Sequence, residues 1–536
     1  MPPLDVFTVQ DATQSPALDA ASVAQVEAFC SDCHGLPSPE TYPRDAWHRF
    51  VWRGYQYYAR SGRNDLKPPP MHLAVSYFRA RAPQRVKFPD PEDAGHEPPV
   101  TFSRQPVVLG QGVNLPVGIS YLRWTRLDRK SRPVLIACDM QGGRVFTADV
   151  TGATPKIRQI AKLSHPCHVE PCDLDRDGCI DLVVAELGSF RAMDHARGQV
   201  VWLRSRGDAS GYEEVVLASG LGRVADVRPA DFDGDGDLDL IVAVFGYSKT
   251  GKLVLLRNTG RSDGLPQFRM ERVDPRPGGI HVPPCDLNGD GRLDFVALIS
   301  QEYECVTAFL NSGVARFRMQ TLWAGPDPTF GSTGIQLVDL DRDGDEDILL
   351  TNGDTFDDQY LKPSHGVQWL ENLGDLRFMY RRIADMAGVH RALAGDLDQS
   401  GRRSGHRGGV VASRSALSAF RGRKIESFGR FSGTDFARCV CSSLDGKGIS
   451  LPRGLGACGF RWRRRFGYRR GLDVVEKMGA HAALDDDLVE PSSWANDTAK
   501  DTVKASGWAR SVGRRRVLVP ACAAADIAAS IGHEAS

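Results

Sequence analysis

No stretch of this chain stays apolar for the roughly 20 residues a helix needs to cross a bilayer, so a transmembrane helix is excluded. The opening residues, MPPLDVFTVQDATQSP, lack both a basic stretch and an apolar core, and no secretory leader is legible in them. Net charge is missing as well: 67 Lys and Arg balance 67 Asp and Glu, which excludes the overall basic excess of a nucleic-acid binder. There is no phosphate-binding loop, no dinucleotide glycine fingerprint and no nucleophile set beside a base, so no catalytic constellation can be named. The twelve cysteines do not form a disulfide framework. Cys138, Cys167, Cys172, Cys179, Cys285 and Cys305 lie in otherwise regular sequence and read as apolar fillers. A sustained helical period is absent between residues 100 and 400.

What that region has instead is a repeat. DLDRDGCIDLVVA begins at Asp173, DFDGDGDLDLIVA at Asp231, DLNGDGRLDFVAL at Asp286 and DLDRDGDEDILLT at Asp339. A fifth copy, DLDQSG, starts at Asp396 and breaks off, and the spacings are 58, 55, 53 and 57 residues. Each acidic loop leads into a β-branched run, then a second run ending in a small polar turn, as in LVLLRNTG and VQWLENLG. Short apolar runs bounded by Gly, Asn and Asp read as strands. About four strands fit in each unit, as a propeller blade requires. A degenerate earlier copy surrounds Asp128, with most of its carboxylates lost.

The loops have the chemistry of calcium. Carboxylates at positions 1, 3, 5 and 9, with Gly at 6 for the sharp turn, gather hard oxygens around one point. Without a cation they repel one another. The candidate ligands are Asp173, Asp175, Asp177 and Asp181; Asp231, Asp233, Asp235 and Asp239; Asp286, Asn288, Asp290 and Asp294; and Asp339, Asp341, Asp343 and Asp347. Position 12 is apolar and both flanks read as strands, which excludes an EF-hand and leaves a bare ladder of Asx turns as the alternative. Over roughly residues 110–400 these loops resemble the FG-GAP/VCBS repeats of integrin-like β-propellers. The resemblance implies an all-β propeller, expected to have seven blades, the last ones incomplete here.

The repeat stops at Gly401, where RRSGHRGGVV stands in place of a strand. One encoding of Leu-Asp-Ile-Val-Ala, read one base early, yields Ser-Gly-His-Arg-Gly-Gly, the residues at Ser404–Gly409. The same displacement turns a complete acidic loop and its strand into Phe460–Gly471, FRWRRRFGYRRG. That stretch alone looks like a nucleic-acid patch of guanidinium groups and aromatic rings. Residues 403–536 are therefore expected to be an out-of-frame, disordered tail. Their charge agrees: residues 401–536 carry 24 Lys and Arg against 13 Asp and Glu, and residues 1–400 carry 43 against 54.

Ahead of the repeat, residues 20–82 read as three helices, preceded by a disordered leader at 1–19 and followed by a Pro-rich linker at 83–108. Between the first two helices lies FCSDCHGLPSP. C-x-x-C-H is the pattern of c-type heme attachment. Cys30 and Cys33 would form the thioethers, and His34 would coordinate iron. Met71 is the candidate sixth ligand, with His72 or an open position as alternatives. A zinc or thioredoxin-like reading lacks its second CxxC or its βαβ surroundings. The segment looks like the small cytochrome-c modules fused to VCBS-repeat propellers in bacterial envelope proteins.

Five residues before the first loop Asp, three units present His168, Asp226 and His281. Equivalent strand positions repeat around a propeller axis, so these three are expected to converge on one funnel, as a metal or proton-relay site or as a polar channel mouth. The expected function is extracytoplasmic electron transfer, with heme c on a propeller domain at 109–402 that calcium stabilises. One alternative is an adhesion or carbohydrate- or protein-binding propeller without a redox role. The other is an oxidoreductase with its site in the funnel. The expected partner is an unidentified redox partner or extracellular ligand, not nucleic acid. The expected location is periplasmic or extracellular, with the secretory signal upstream of Met1 or lost.

Overall fold

Asp19 starts the first helix, α1 (Ala20–Cys30), its carboxylate accepting the Ser22 N–H at 2.7 Å. Helix α2 (Trp47–Ser61) ends on Gly62, whose φ of 76° closes the last turn in the left-handed region. Pro68–Pro70 bars an earlier helical start, and α3 (Met71–Arg81) begins one residue later. The three helices close on an apolar cluster in which Val26 and Ala74 are fully buried and Trp47 stacks on Phe78 at 4.2 Å. No helix among the described residues is long and apolar enough to cross a membrane.

The computed structural model describes residues 18–89 and 117–395, except 129–130, 153, 208–210 and 357. It also describes the backbone of short strands at Pro106–Val107, Gly409–Arg414 and Phe436–Ala437. All of these lie in one compact unit. The leader through residue 17, most of the Pro-rich linker and, apart from those backbone segments, everything after residue 395 lie outside the described residues. The out-of-frame reading of 403–536 lies there too.

The strands form a β-propeller. Five antiparallel four-stranded sheets span 119–162, 166–221, 224–274, 279–324 and 332–385. A sixth pairs Val389–Gly395 with Gly409–Arg414. In the first, second, third and fifth blades the strand order follows the chain, and in the fourth two prolines split the first strand into Gly279–His281 and Pro284–Cys285. Within each blade the first strand is more buried than the fourth: Val224–Ala230 is buried throughout, whereas Leu265–Asp274 is mostly part-exposed. The expected seven blades are corrected: the described residues form five complete blades and a two-stranded sixth. Each intact acidic loop joins the first and second strands of its blade.

In such a blade the acidic loops lie at one end, and the loops from second to third strand lie at the other, with the crossings to the next blade. The helical module packs against this second face. Tyr42 donates to Asp358 at 2.7 Å, and Asp358 is paired at 2.9 Å with Lys362, whose ammonium also donates to the Thr329 carbonyl. Tyr360 meets the Tyr42 and Phe50 rings edge-on, and the hydroxyls of Tyr57 and Tyr247 lie 3.3 Å apart.

Candidate functional site

In each acidic loop the first Asp accepts the N–H of the sixth-position glycine: Gly178, Gly236, Gly291 and Gly344, at 2.9–3.2 Å. All four glycines have φ between 82° and 106°, a conformation that a side chain strains. The turn draws carboxylates together. Asp173, Asp175 and Asp177 offer oxygens within 4.8 Å of one another, as do Asp231, Asp233 and Asp235, and Asp339, Asp341 and Asp347. One buried oxygen each of Asp173, Asp175, Asp233 and Asp339 has no hydrogen-bond partner. Buried lone pairs of this kind call for an ion or water, and a hard cation such as calcium fits the donor set.

The ninth-position carboxylates have a further role that the sequence reading missed. Asp181, Asp239, Asp294 and Asp347 are buried and accept, at 2.7 Å, the N–H of Ser205, Asn258, Asn311 and Asn372 on the third strand. Three of them also accept a loop N–H, from Leu174, Leu287 and Leu340. They tie the loop to the blade, and only Asp347 also belongs to a carboxylate cluster among the described residues. The residue before each third-strand partner sets the local charge. Arg204 meets Asp175 at 2.6 Å and Arg257 meets Asp233 at 2.8 Å, whereas the fourth blade has Leu310 and the fifth Glu371. Blades two and three thus carry part of their own counter-charge.

His168, Asp226 and His281 do come together. Every first strand has a bulge at one position, so the next side chain is Tyr121, His168, Asp226, His281, Gly334 or Arg391 in successive sheets. The His168 imidazole bonds Asp226, and the Tyr121 ring lies 4.8 Å from it. His281 Nδ1 is 3.8 Å from the other Asp226 oxygen, which also accepts the Val282 N–H at 2.9 Å. Arg228 donates to both oxygens, at 3.1 and 2.9 Å. A side chain on Gly334 would approach the Arg391 guanidinium to 3.1 Å, so the glycine leaves that group room. One level along, Arg123 pairs with buried Glu170.

His168, Asp226 and His281 are all fully buried, so the cluster is a sealed polar core. Burial alone would raise Asp226, but Arg228 and His168 outweigh it and hold the carboxyl well below its ordinary range. Burial pushes His281 down to about 4 and, helped by Arg228, Arg391 down to about 9. Burial lifts Glu170 well above the carboxylate range despite Arg123. Arg391 was legible in principle, since it precedes Asp396 by the same five residues.

In the helical module Cys30 ends α1, half-buried, and burial pushes its thiol up to about 11. Cys33 is exposed, and Arg63 donates to its sulfur at 3.0 Å. His34 Nδ1 lies 2.8 Å from the Gly35 carbonyl. Met71 and Cys30 pack on the same apolar cluster, and His72 is exposed.

The FG-GAP-like repeat family matches residues 173–242 and 244–350. Blades two to five carry FG-GAP-like repeats. The matched segments run from the first well-formed acidic loop to the second strand of the fifth blade, so the FG-GAP part of the propeller is the part with intact loops. No curated protein matches the chain. Among solved structures, an Agrocybe aegerita lectin that recognises non-reducing terminal N-acetylglucosamine aligns at 14% identity, over 56% of this chain and 76% of that one, with a TM-score of 0.36. A structural-genomics target proposed to be a gluconolactonase aligns at 13% identity, over 55% and 86%, with a TM-score of 0.31. Likenesses this distant say nothing about ligand or chemistry.

Proposed function

We propose that this chain is a binding module: an FG-GAP propeller with calcium stiffening one loop face and the opposite face receiving a protein or small ligand. The observation that carries the reading is the docked helical module. The second face already holds a partner of the same chain, through the buried Tyr42–Asp358–Lys362 contact. Complete burial of His168, Asp226 and His281 supports a scaffold role for the axis over substrate chemistry. The test is a screen of the full chain against glycans and protein baits, in calcium and in chelator. Saturable, calcium-dependent binding is expected. Substrate turnover without any saturable ligand would overturn the reading.

Covalent heme c on the helical module, with electron transfer, is the second reading, and one observation favours it. With Nδ1 donating to the Gly35 carbonyl, His34 keeps Nε2 as the coordinating nitrogen. Cys30 and Cys33 would hold the group by thioethers, and Met71 is the candidate second iron ligand. Heme c supplies one-electron transfer when bound. Both readings suit an extracytoplasmic location, where c-type heme is attached. Expressed behind a secretory leader in a host that matures c-type cytochromes, the chain is expected to keep heme stain through denaturing electrophoresis. Cys30→Ala with Cys33→Ala should abolish it. An unstained wild-type band beside a stained control cytochrome removes this reading and leaves the first intact.

A further inference from the structure

A cleft of about 350 Å³ opens between blades two and three, on the face that carries the helical module. Lys249, Lys252 and Arg272 line it, and no carboxylate does. No carboxylate among the described residues pairs with these three cations. Two acids adjoining the lining residues in sequence are already engaged. Asp194 accepts from the backbone N–H groups of Ser248, Lys249 and Thr250 and from the hydroxyls of Ser248 and Thr250, at 2.7–3.3 Å. Asp274 is held by Arg276 at 2.6 Å. The wall is therefore cationic by composition and by pairing.

His195 adds a directed donor. Its Nδ1 accepts the Arg197 N–H at 3.0 Å, so the proton of the neutral ring sits on Nε2. That Nε2 is buried, has no hydrogen-bond partner and belongs to a residue lining the cleft. Burial, then Arg197 and Arg223, hold the imidazole below its ordinary pKa and keep it neutral. An unmet buried donor costs free energy that an acceptor in the cleft recovers. The backbone of the walls is closely packed. A side chain on Gly222 would reach the Thr250 carbonyl at 2.7 Å, and one on Gly251 would reach the Phe245 carbonyl at 2.3 Å. The Asp194 bonds tie the two blades together across the seam.

We propose that this cleft binds the oxyanion of a small ligand: a carboxylate, sulfate or phosphate group on a scaffold of about monosaccharide size. Lys249, Lys252 and Arg272 supply the charge, and His195 Nε2 supplies an oriented hydrogen bond. The proposal rests on the binding-module reading only in putting a ligand on the second face.

The test is calorimetric titration of the full chain with sulfate, D-glucuronate and D-glucose 6-phosphate, with neutral D-glucose for comparison. At least one anion is expected to bind with a Kd of about 1 mM or tighter. Lys252→Gln with Arg272→Gln should weaken it at least tenfold at unchanged melting temperature, and His195→Phe several-fold. Arg318→Ala, an exposed charge on the fourth blade, should leave it unchanged and so control for general electrostatics. If the double variant unfolds, the single variants and His195→Phe carry the comparison. Three outcomes overturn the proposal: no anion binding up to about 10 mM, glucose binding as tightly as the anions, or indifference to the cleft variants. Anions that fail while the partner screen succeeds remove this cleft and spare the module reading.

Discussion

Asp226 is fully buried and still ionised, because Arg228, His168 and the Val282 N–H all lend it positive charge. Removing one member of such a set leaves the others buried without compensation, which typically costs about 3–5 kcal/mol. Asp226→Ala is expected to lose stability of that order, read from the midpoint of urea unfolding. His281 lies farther from the carboxylate, and His281→Gln should cost less. Equal and small losses in the two variants would mean that the axial ion set contributes little.

At the scale of the element, the acidic loops share a backbone and differ in charge. Excess chelator is expected to lower the melting temperature, because clustered carboxylates lose their counter-ion. The response should be unequal among blades. Arg204 and Arg257 partly neutralise blades two and three, so Asp339→Asn with Asp341→Asn in blade five should remove more of the calcium stabilisation than the matching changes at Asp173 and Asp175. Arg204→Ala should make the protein more dependent on calcium. A melting temperature indifferent to chelator would count against the metal in every loop.

For the whole molecule, pH acts through buried histidines. Burial pushes His281 and His390 down to about 4 and His365 well below its ordinary value. Their folded pKa values lie below the unfolded value of about 6.5, so the stability they contribute is present above that pH and is lost as pH falls toward 4. Glu304, lifted by burial to about 7, acts in the opposite sense, costing stability as pH rises from about 4.5 to 7. Buried Glu170, also lifted, acts with Glu304, so the histidine share is read by difference: His281→Gln with His390→Gln is expected to lose less stability than the unchanged protein between pH 6.5 and 4, by a margin on the order of a few kcal/mol in urea unfolding. An identical pH profile in the two proteins would refute it. The helical module adds a second whole-molecule test. Lys362→Met leaves Asp358 buried without its cation and should release the module, measured as faster proteolysis near the linker at residues 83–108. The out-of-frame reading predicts that restoring the frame near Arg402 raises soluble yield and melting temperature, because the sixth sheet has only two described strands and open edges are costly.

The acidic loops were legible in the sequence because the constraint is local. A tight turn of nine residues demands its carboxylates and its glycine at fixed offsets, and the repeat of that turn marks each blade. The meeting of His168, Asp226 and His281 followed from the same regularity, since equivalent strand positions face one axis. The rest depended on distances between segments far apart in the chain. Asp181 looks like any loop carboxylate until the third strand brings the Ser205 N–H to 2.7 Å. Gly334 matters for the space it leaves to Arg391, which no local pattern encodes. The helical module read as tethered, yet it packs on loops some 300 residues away in the chain, as Tyr42 does on Asp358. The cationic cleft joins Lys249 on a loop with Lys252 and Arg272 on strands, charges that the repeat does not mark. Spacing along the chain determines a turn and its period, whereas pairing across blades is decided only when burial forces each polar group to find a partner.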